Sequence, residues 1–166
     1  MLPDVSTLPP GEVFTMTRRF RTPLADLWDL WTTARGIERW WGPPGFGVTV
    51  QSIDLRTGGT LHYTMSAQAP EMVAFMQANG MPVDTKAQIT YAEVTPLKRL
   101  AYSHLVDFVP GVAPYHTALA VDFHSDGDKA EMQLTFQRMH DAEWSERQRM
   151  GWELELGKLA AVLEAA

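Results

Sequence analysis

Cysteine is absent from the 166-residue chain. With it go disulfides, thiolate zinc sites, iron–sulfur clusters and cysteine nucleophiles, and the absence fits a reducing compartment. Long apolar runs are missing too: nothing approaches the ~18 uncharged apolar residues of a membrane span. The first residues, Met1-Leu2-Pro3-Asp4-Val5, lack the basic start and apolar stretch of a signal peptide. These features predict a cytoplasmic protein that does not engage a membrane. Basic residues are scarce, 14 Lys and Arg against 20 Asp and Glu, for a formal charge of −6. The densest basic cluster, Arg18, Arg19 and Arg21, is too short to be the stripe that tracks nucleic-acid phosphates. The acidic balance also opposes docking on anionic lipid. Neither a nucleic acid nor a membrane is expected as a partner.

Motifs of catalysis are equally thin. No two histidines stand four apart, and no dense histidine–carboxylate cluster occurs, so no metal is expected. Gly58-Gly59 lacks the Lys and Ser/Thr that follow in a phosphate loop. The glycines at 42–47 lead into a strand, unlike a dinucleotide fingerprint. No G-x-S-x-G elbow is present. No cofactor and no catalytic residue are assigned.

What is present is enough for a core: 45% hydrophobic residues, with six Trp and nine Met. A chain this long hides roughly 70% of its unfolded surface. Residues 1–11, with Pro3, Pro9, Pro10 and Gly11, read as a flexible tail, and 12–166 as a single domain. Phe14, Met16 and Phe20 alternate with Thr15, Thr17 and Arg19, the period of a half-buried strand. Thr22-Pro23 predicts a capped helix start, and Leu24, Leu27, Trp28 and Trp31 share one helical face. A second short helix spans 34–41 and breaks at Gly42-Pro43-Pro44-Gly45. Strands follow. Phe46, Val48 and Val50 change phase before Ile53 and Leu55, which places a bulge near Ser52. Thr57-Gly58-Gly59 turns into Leu61, Tyr63 and Met65. Met72, Val73, Phe75 and Met76 have helical spacing, so 69–82 reads as an inserted amphipathic helix. Strands resume at 86–94, 99–106 and 115–124, and Asp126-Gly127 marks a hairpin into Ala130, Met132, Leu134 and Phe136. A long helix closes the chain from Asp141, with Trp152, Leu156, Leu159 and Leu163 as its apolar stripe and Glu153, Glu155 and Lys158 on the other side. Consecutive strands on short turns imply an antiparallel sheet, and the helix lies against it.

Several motifs occur together in order. They are Arg19-Phe20-Arg21-Thr22-Pro23, Leu27-Trp28-Asp29-Leu30-Trp31-Thr32, Trp40-Trp41-Gly42-Pro43, Asp54-Leu55-Arg56-Thr57-Gly58-Gly59, and Gly151-Trp152 with the leucines downstream. The chain resembles the bacterial homologues of the activator of the heat-shock-protein-90 ATPase, within the START-related (SRPBCC) superfamily, from about Phe14 to Leu163. The resemblance implies an α+β helix-grip fold, like the birch pollen allergen. A curved antiparallel sheet would wrap the long C-terminal helix, with two short helices after the first strand and a cavity between sheet and helix. Superfamily members bind lipids, hormones and polyketides, some catalyse cyclisation or hydrolysis, and the eukaryotic namesake stimulates a chaperone.

The leading expectation is therefore a protein that binds a small apolar or amphipathic molecule in that cavity. Tyr63, Met65, Tyr102, His104, Trp152 and Leu156 would line it, by strand parity and helix stripe. Trp40 and Trp41 would reach its rim, and Met72, Phe75 and Met76 would form a lid. The loop at 107–114 would also sit over the mouth. His104 is the one histidine on an inward parity, a polar handle whose partner would be Tyr102 or Asp107. His62, His116, His124 and His140 read as surface. The alternative is a protein-interaction module, modulating a chaperone ATPase or another partner through the outer sheet face (His116, Asp122, Lys129, Glu131, Gln133). A third reading is an enzyme for an aromatic or polyketide-like substrate, with His104 as base. An exposed strand edge leaves room for a homodimer.

Overall fold

Apolar alternation organises the sheet. On the last strand Ala130, Met132, Leu134 and Phe136 are fully buried, while the residues between them face outward. The computed structural model describes residues 4–164. Its seven strands are β1 (Val13–Phe20), β2 (Phe46–Ile53), β3 (Thr60–Ala67), β4 (Asp84–Thr95), β5 (Arg99–Val106), β6 (Tyr115–Asp126) and β7 (Lys129–Gln137). They form one antiparallel sheet in the order β1-β7-β6-β5-β4-β3-β2. Between β1 and β2 lie α1 (Leu24–Thr32) and α2 (Ala34–Glu38). The segment α3 (Pro70–Ala78) joins β3 to β4, and α4 (Ala142–Glu164) follows β7. This is the α+β helix-grip arrangement. The predicted bulge is present as a register shift between Val50 and Ser52. At the β2–β3 turn a Cβ on Gly59 would lie 2.1 Å from the Asp54 carbonyl oxygen, so only glycine fits.

One boundary differs from expectation. Pro23, not Thr22, is the N-cap of α1, and it makes no side-chain cap. The helix starts because proline fixes φ and spares a donor that the first turn leaves unpaired anyway.

An aromatic cluster joins the two short helices to α4. Trp31 is fully buried. Its ring centroid lies 4.8 Å from Trp40, 6.3 Å from Trp41 and 6.0 Å from Trp152, the last pair stacked. Trp40 Nε1 donates to the Leu30 carbonyl at 2.7 Å, which ties α2 to α1. Leu156 and Leu159 of α4 are buried in the same cluster.

Residues 1–3, part of the segment read as a tail, lie outside the described residues. Residues 5–7 and 10–12 form two 3-10 turns. Val5, 3% exposed, packs on Ala118 and Ala120 on the outer side of β6. Arg99 holds the turn through Asp4 at 2.9 Å and Asp122 at 3.1 Å. These contacts explain why β6 is buried on both faces from Thr117 to Val121, where alternation alone predicts one. Val5→Ala is expected to lower stability by about 1–2 kcal/mol, read by urea unfolding. No change would mean that the turn adds nothing to the fold.

Candidate functional site

The concave side of the sheet and the N-terminal half of α4 meet at Trp152, which packs on Phe136 of β7, but leave a gap beside it. Between them lies a cavity of about 270 Å³. Strand parity supplies one wall: Tyr63 and Met65 from β3, Ile89 from β4, Tyr102, His104 and Val106 from β5, and Leu119 from β6. The helix supplies the other at a 3–4 residue spacing: Trp144, Gln148, Gly151, Trp152 and Glu155. Trp41 closes the inner end. Phe108, 45% exposed, stands at the outer end, its ring 6.0 Å from Trp144 and 6.5 Å from His104.

Six residues expected at the site share this wall: Trp41, Tyr63, Met65, Tyr102, His104 and Trp152. Five do not. Trp40 and Leu156 are buried in the aromatic and leucine core beside the cavity. Met72, Phe75 and Met76 ride on α3, off the wall. Phe75 is 56% exposed and Met76 is buried, and the helix packs at Gly45, whose Cβ position lies 3.7 Å from Met72. The mouth is shaped instead by Phe108, in the loop that was expected there.

Residues that the sequence reading missed carry most of the polarity. Glu155 was placed on the outer side of α4, yet it lines the cavity. Its Oε1 accepts from the Gly42 N–H at 2.7 Å. Burial pushes its carboxyl up to about 7, although that bond and Lys158 both favour the charge. Lys158, also read as outward, donates to the carbonyls of Trp41, Gly42 and Phe46 at 3.4, 2.8 and 3.4 Å. These two side chains pin the 41–46 loop to α4. Gln148 Oε1 and Trp41 Nε1 are buried without a hydrogen-bond partner among the described residues, in a wall where unpaired polar atoms are costly. The Tyr63 and Tyr102 hydroxyls are held protonated by burial.

His104 is pulled down to about 4 by burial, against the pull of Asp107 and with a small push from His116. It is neutral near pH 7, a hydrogen-bonding group rather than a charge. Neither expected partner, Tyr102 or Asp107, bonds its ring in the described residues. A base this weak also gives the enzyme reading little driving force. Among the described residues no group of three His, Asp or Glu side chains could hold a metal, and no helix is long and apolar enough to cross a membrane.

The sequence profile described as Activator of Hsp90 ATPase homolog 1-like protein matches residues 21–164. The chain belongs to that family. No curated protein matches it. Solved structures share the architecture at low identity. A Chromobacterium violaceum protein is 21% identical, covering 93% of this chain and 98% of its own at a TM-score of 0.75. An Arthrobacter aurescens protein is 18% identical over 99% and 90%, with a TM-score of 0.74. The AHSA1 protein of Silicibacter pomeroyi is 20% identical over 92% and 98%, with a TM-score of 0.71. At these identities the likeness establishes the fold alone.

Proposed function

We propose that this member of the family binds a small amphipathic molecule between the sheet and α4. The observation that carries this reading is the cavity itself. Its ~270 Å³ is walled by aromatic and aliphatic side chains, and two buried polar atoms, Trp41 Nε1 and Gln148 Oε1, lack partners among the described residues. An engineered apolar cavity of about 150 Å³ holds benzene, so this space admits a ring with a substituent. Apolar burial at ~25 cal/mol per Å² supplies micromolar affinity without a charged contact. The interaction-module alternative draws less support. The Val5 turn covers Ala118 and Ala120 on the outer sheet face, and the outward residues His116, Asp122, Lys129, Glu131 and Gln133 are polar.

Native mass spectrometry of protein purified from its own host tests the proposal. The expected result is a discrete added mass that disappears on denaturation. A mass that stays clean, even after incubation with host metabolite extract, would overturn it.

A further inference from the structure

The inner end of the cavity has a charge pattern that selects among ligands. We propose that it is an ammonium site: the ligand is an aromatic or alkyl amine whose cation sits against Glu155, among the faces of Trp41, Tyr63, Tyr102 and Trp152. This rests on the reading of the cavity as a small-molecule site and names the ligand class.

Three observations converge. First, the rings form a cage. Trp41 and Tyr63 stand almost perpendicular, 85° and 5.4 Å apart, and Trp41 and Tyr102 lie 6.3 Å apart at 30°. Trp152 lines the same space. Aromatic faces attract cations most strongly where water is excluded. Second, the cage contains a carboxylate. Glu155 uses Oε1 on the Gly42 N–H, and Oε2 has no hydrogen bond from the described residues. Burying a carboxylate on a single hydrogen bond is costly, and a ligand cation relieves that cost. Third, among the described residues the two cations nearest the cavity already have partners, although Lys158 lies close enough to Glu155 to favour its charge. Lys158 spends its donors on three loop carbonyls. Arg147, at the outer end, pairs with Glu143 at 3.0 Å and lies 4.8 Å over the Trp144 ring. Gln148 Oε1 adds a free acceptor on the path inward, suited to an N–H donor. A carboxylate-headed ligand with its head inward would meet Glu155 with no free cation beside it.

The charge state of the site is set by Glu155. From the other packed elements it faces Tyr63 on β3 and Tyr102 on β5, both protonated. His104 on β5 is neutral above about 4, and Lys158 lies on its own helix. Of these facing groups, Glu155 is the one that changes charge near neutrality.

Phenyltrimethylammonium and tert-butylbenzene share a shape and differ in charge, and neither titrates. Binding is read by tryptophan emission and ligand-observed NMR. Near pH 8 the cation is expected to bind about tenfold tighter than the hydrocarbon. Near pH 6, where about a tenth of Glu155 is ionised, the cation should bind about three- to fivefold more weakly. Glu155→Gln keeps an acceptor for Gly42 and should reduce the preference to what the rings alone supply and abolish its pH dependence. Because the protein is net −6, Gly151→Leu, which fills the cavity, is the control for surface attraction. Equal binding of the two probes overturns the ammonium proposal and leaves the cavity reading intact. A cation preference that survives Gly151→Leu, or a pH dependence that survives Glu155→Gln, also overturns it. Failure of both probes to bind, with no added mass in the native spectrum, removes the cavity reading as well.

Discussion

In the Gly151→Leu protein, uptake of the neutral apolar dye N-phenyl-1-naphthylamine is expected to fall at least a hundredfold, about 2.7 kcal/mol, with no loss of stability. Gly151 lies inside α4 on the cavity wall, and a Cβ built there meets nothing within 4 Å. Leucine therefore puts its side chain into the space a ligand needs and collides with no protein atom at the first carbon. Glycine inside a helix costs roughly 1 kcal/mol relative to a good helix former. Added apolar burial works in the same direction, so Tm should hold or rise by about 2–4 °C. The two readouts separate ligand binding from folding, which truncation of Trp41 or Tyr63 would not, since both are also core residues. Undiminished dye binding would place the dye elsewhere on the protein. A falling Tm would mean that this face of α4 has less room than its wall implies.

The same face of α4 shows where sequence reading stops. Trp152, Leu156, Leu159 and Leu163 follow a stripe that periodicity finds, and the strands follow from alternation. The bulge at Val50 to Ser52 was legible as a phase change. The sequence does not show that the stripe serves two environments. From Leu156 onward it meets packed side chains, whereas before it the helix borders the cavity, with Trp152 lining that space and packing on Trp31. There Gln148, Gly151 and Glu155 sit at the 3–4 spacing of an inward face. Periodicity assigns polar residues to water, so Glu155 read as solvent-facing. The one available signal was a glycine and two polar residues interrupting an otherwise apolar face on either side of Trp152. The α3 segment failed for the opposite reason. Met72, Phe75 and Met76 have the composition of a lid, but composition does not say which surface a helix lands on. Phe108, an isolated aromatic in a Pro- and Gly-rich loop, carried no periodic signal at all.

Above about pH 7, Glu155→Gln is expected to be more stable than the parent protein by about 2–3 kcal/mol, although it removes a charge that accepts a good hydrogen bond. The unfolded chain ionises this carboxyl near 4.5, and burial delays ionisation in the folded state to about 7. Below about 4.5 both states are protonated and the carboxyl costs nothing. Between those values the folded state binds more protons than the unfolded state, so stability falls as pH rises. Above about 7 the charge is buried in full, at about 1.4 kcal/mol per pH unit of displacement. His104 has the opposite slope. Its ring ionises near 6.5 when unfolded and about 4 when folded, so its contribution is present above 6.5 and is lost as pH falls toward 4. The two slopes offset each other between about 4.5 and 6.5, and the parent protein should look nearly indifferent to pH there. Glu155→Gln removes one of them, and its stability should climb across that window. Urea unfolding of both proteins near pH 5, 6 and 8 reads this directly. A variant less stable than the parent near pH 8 would mean that the carboxylate bond to Gly42 outweighs the cost of burying the charge, making Glu155 a loop staple. A more stable variant would mean that the cavity wall carries a destabilising charge, which a bound cation offsets.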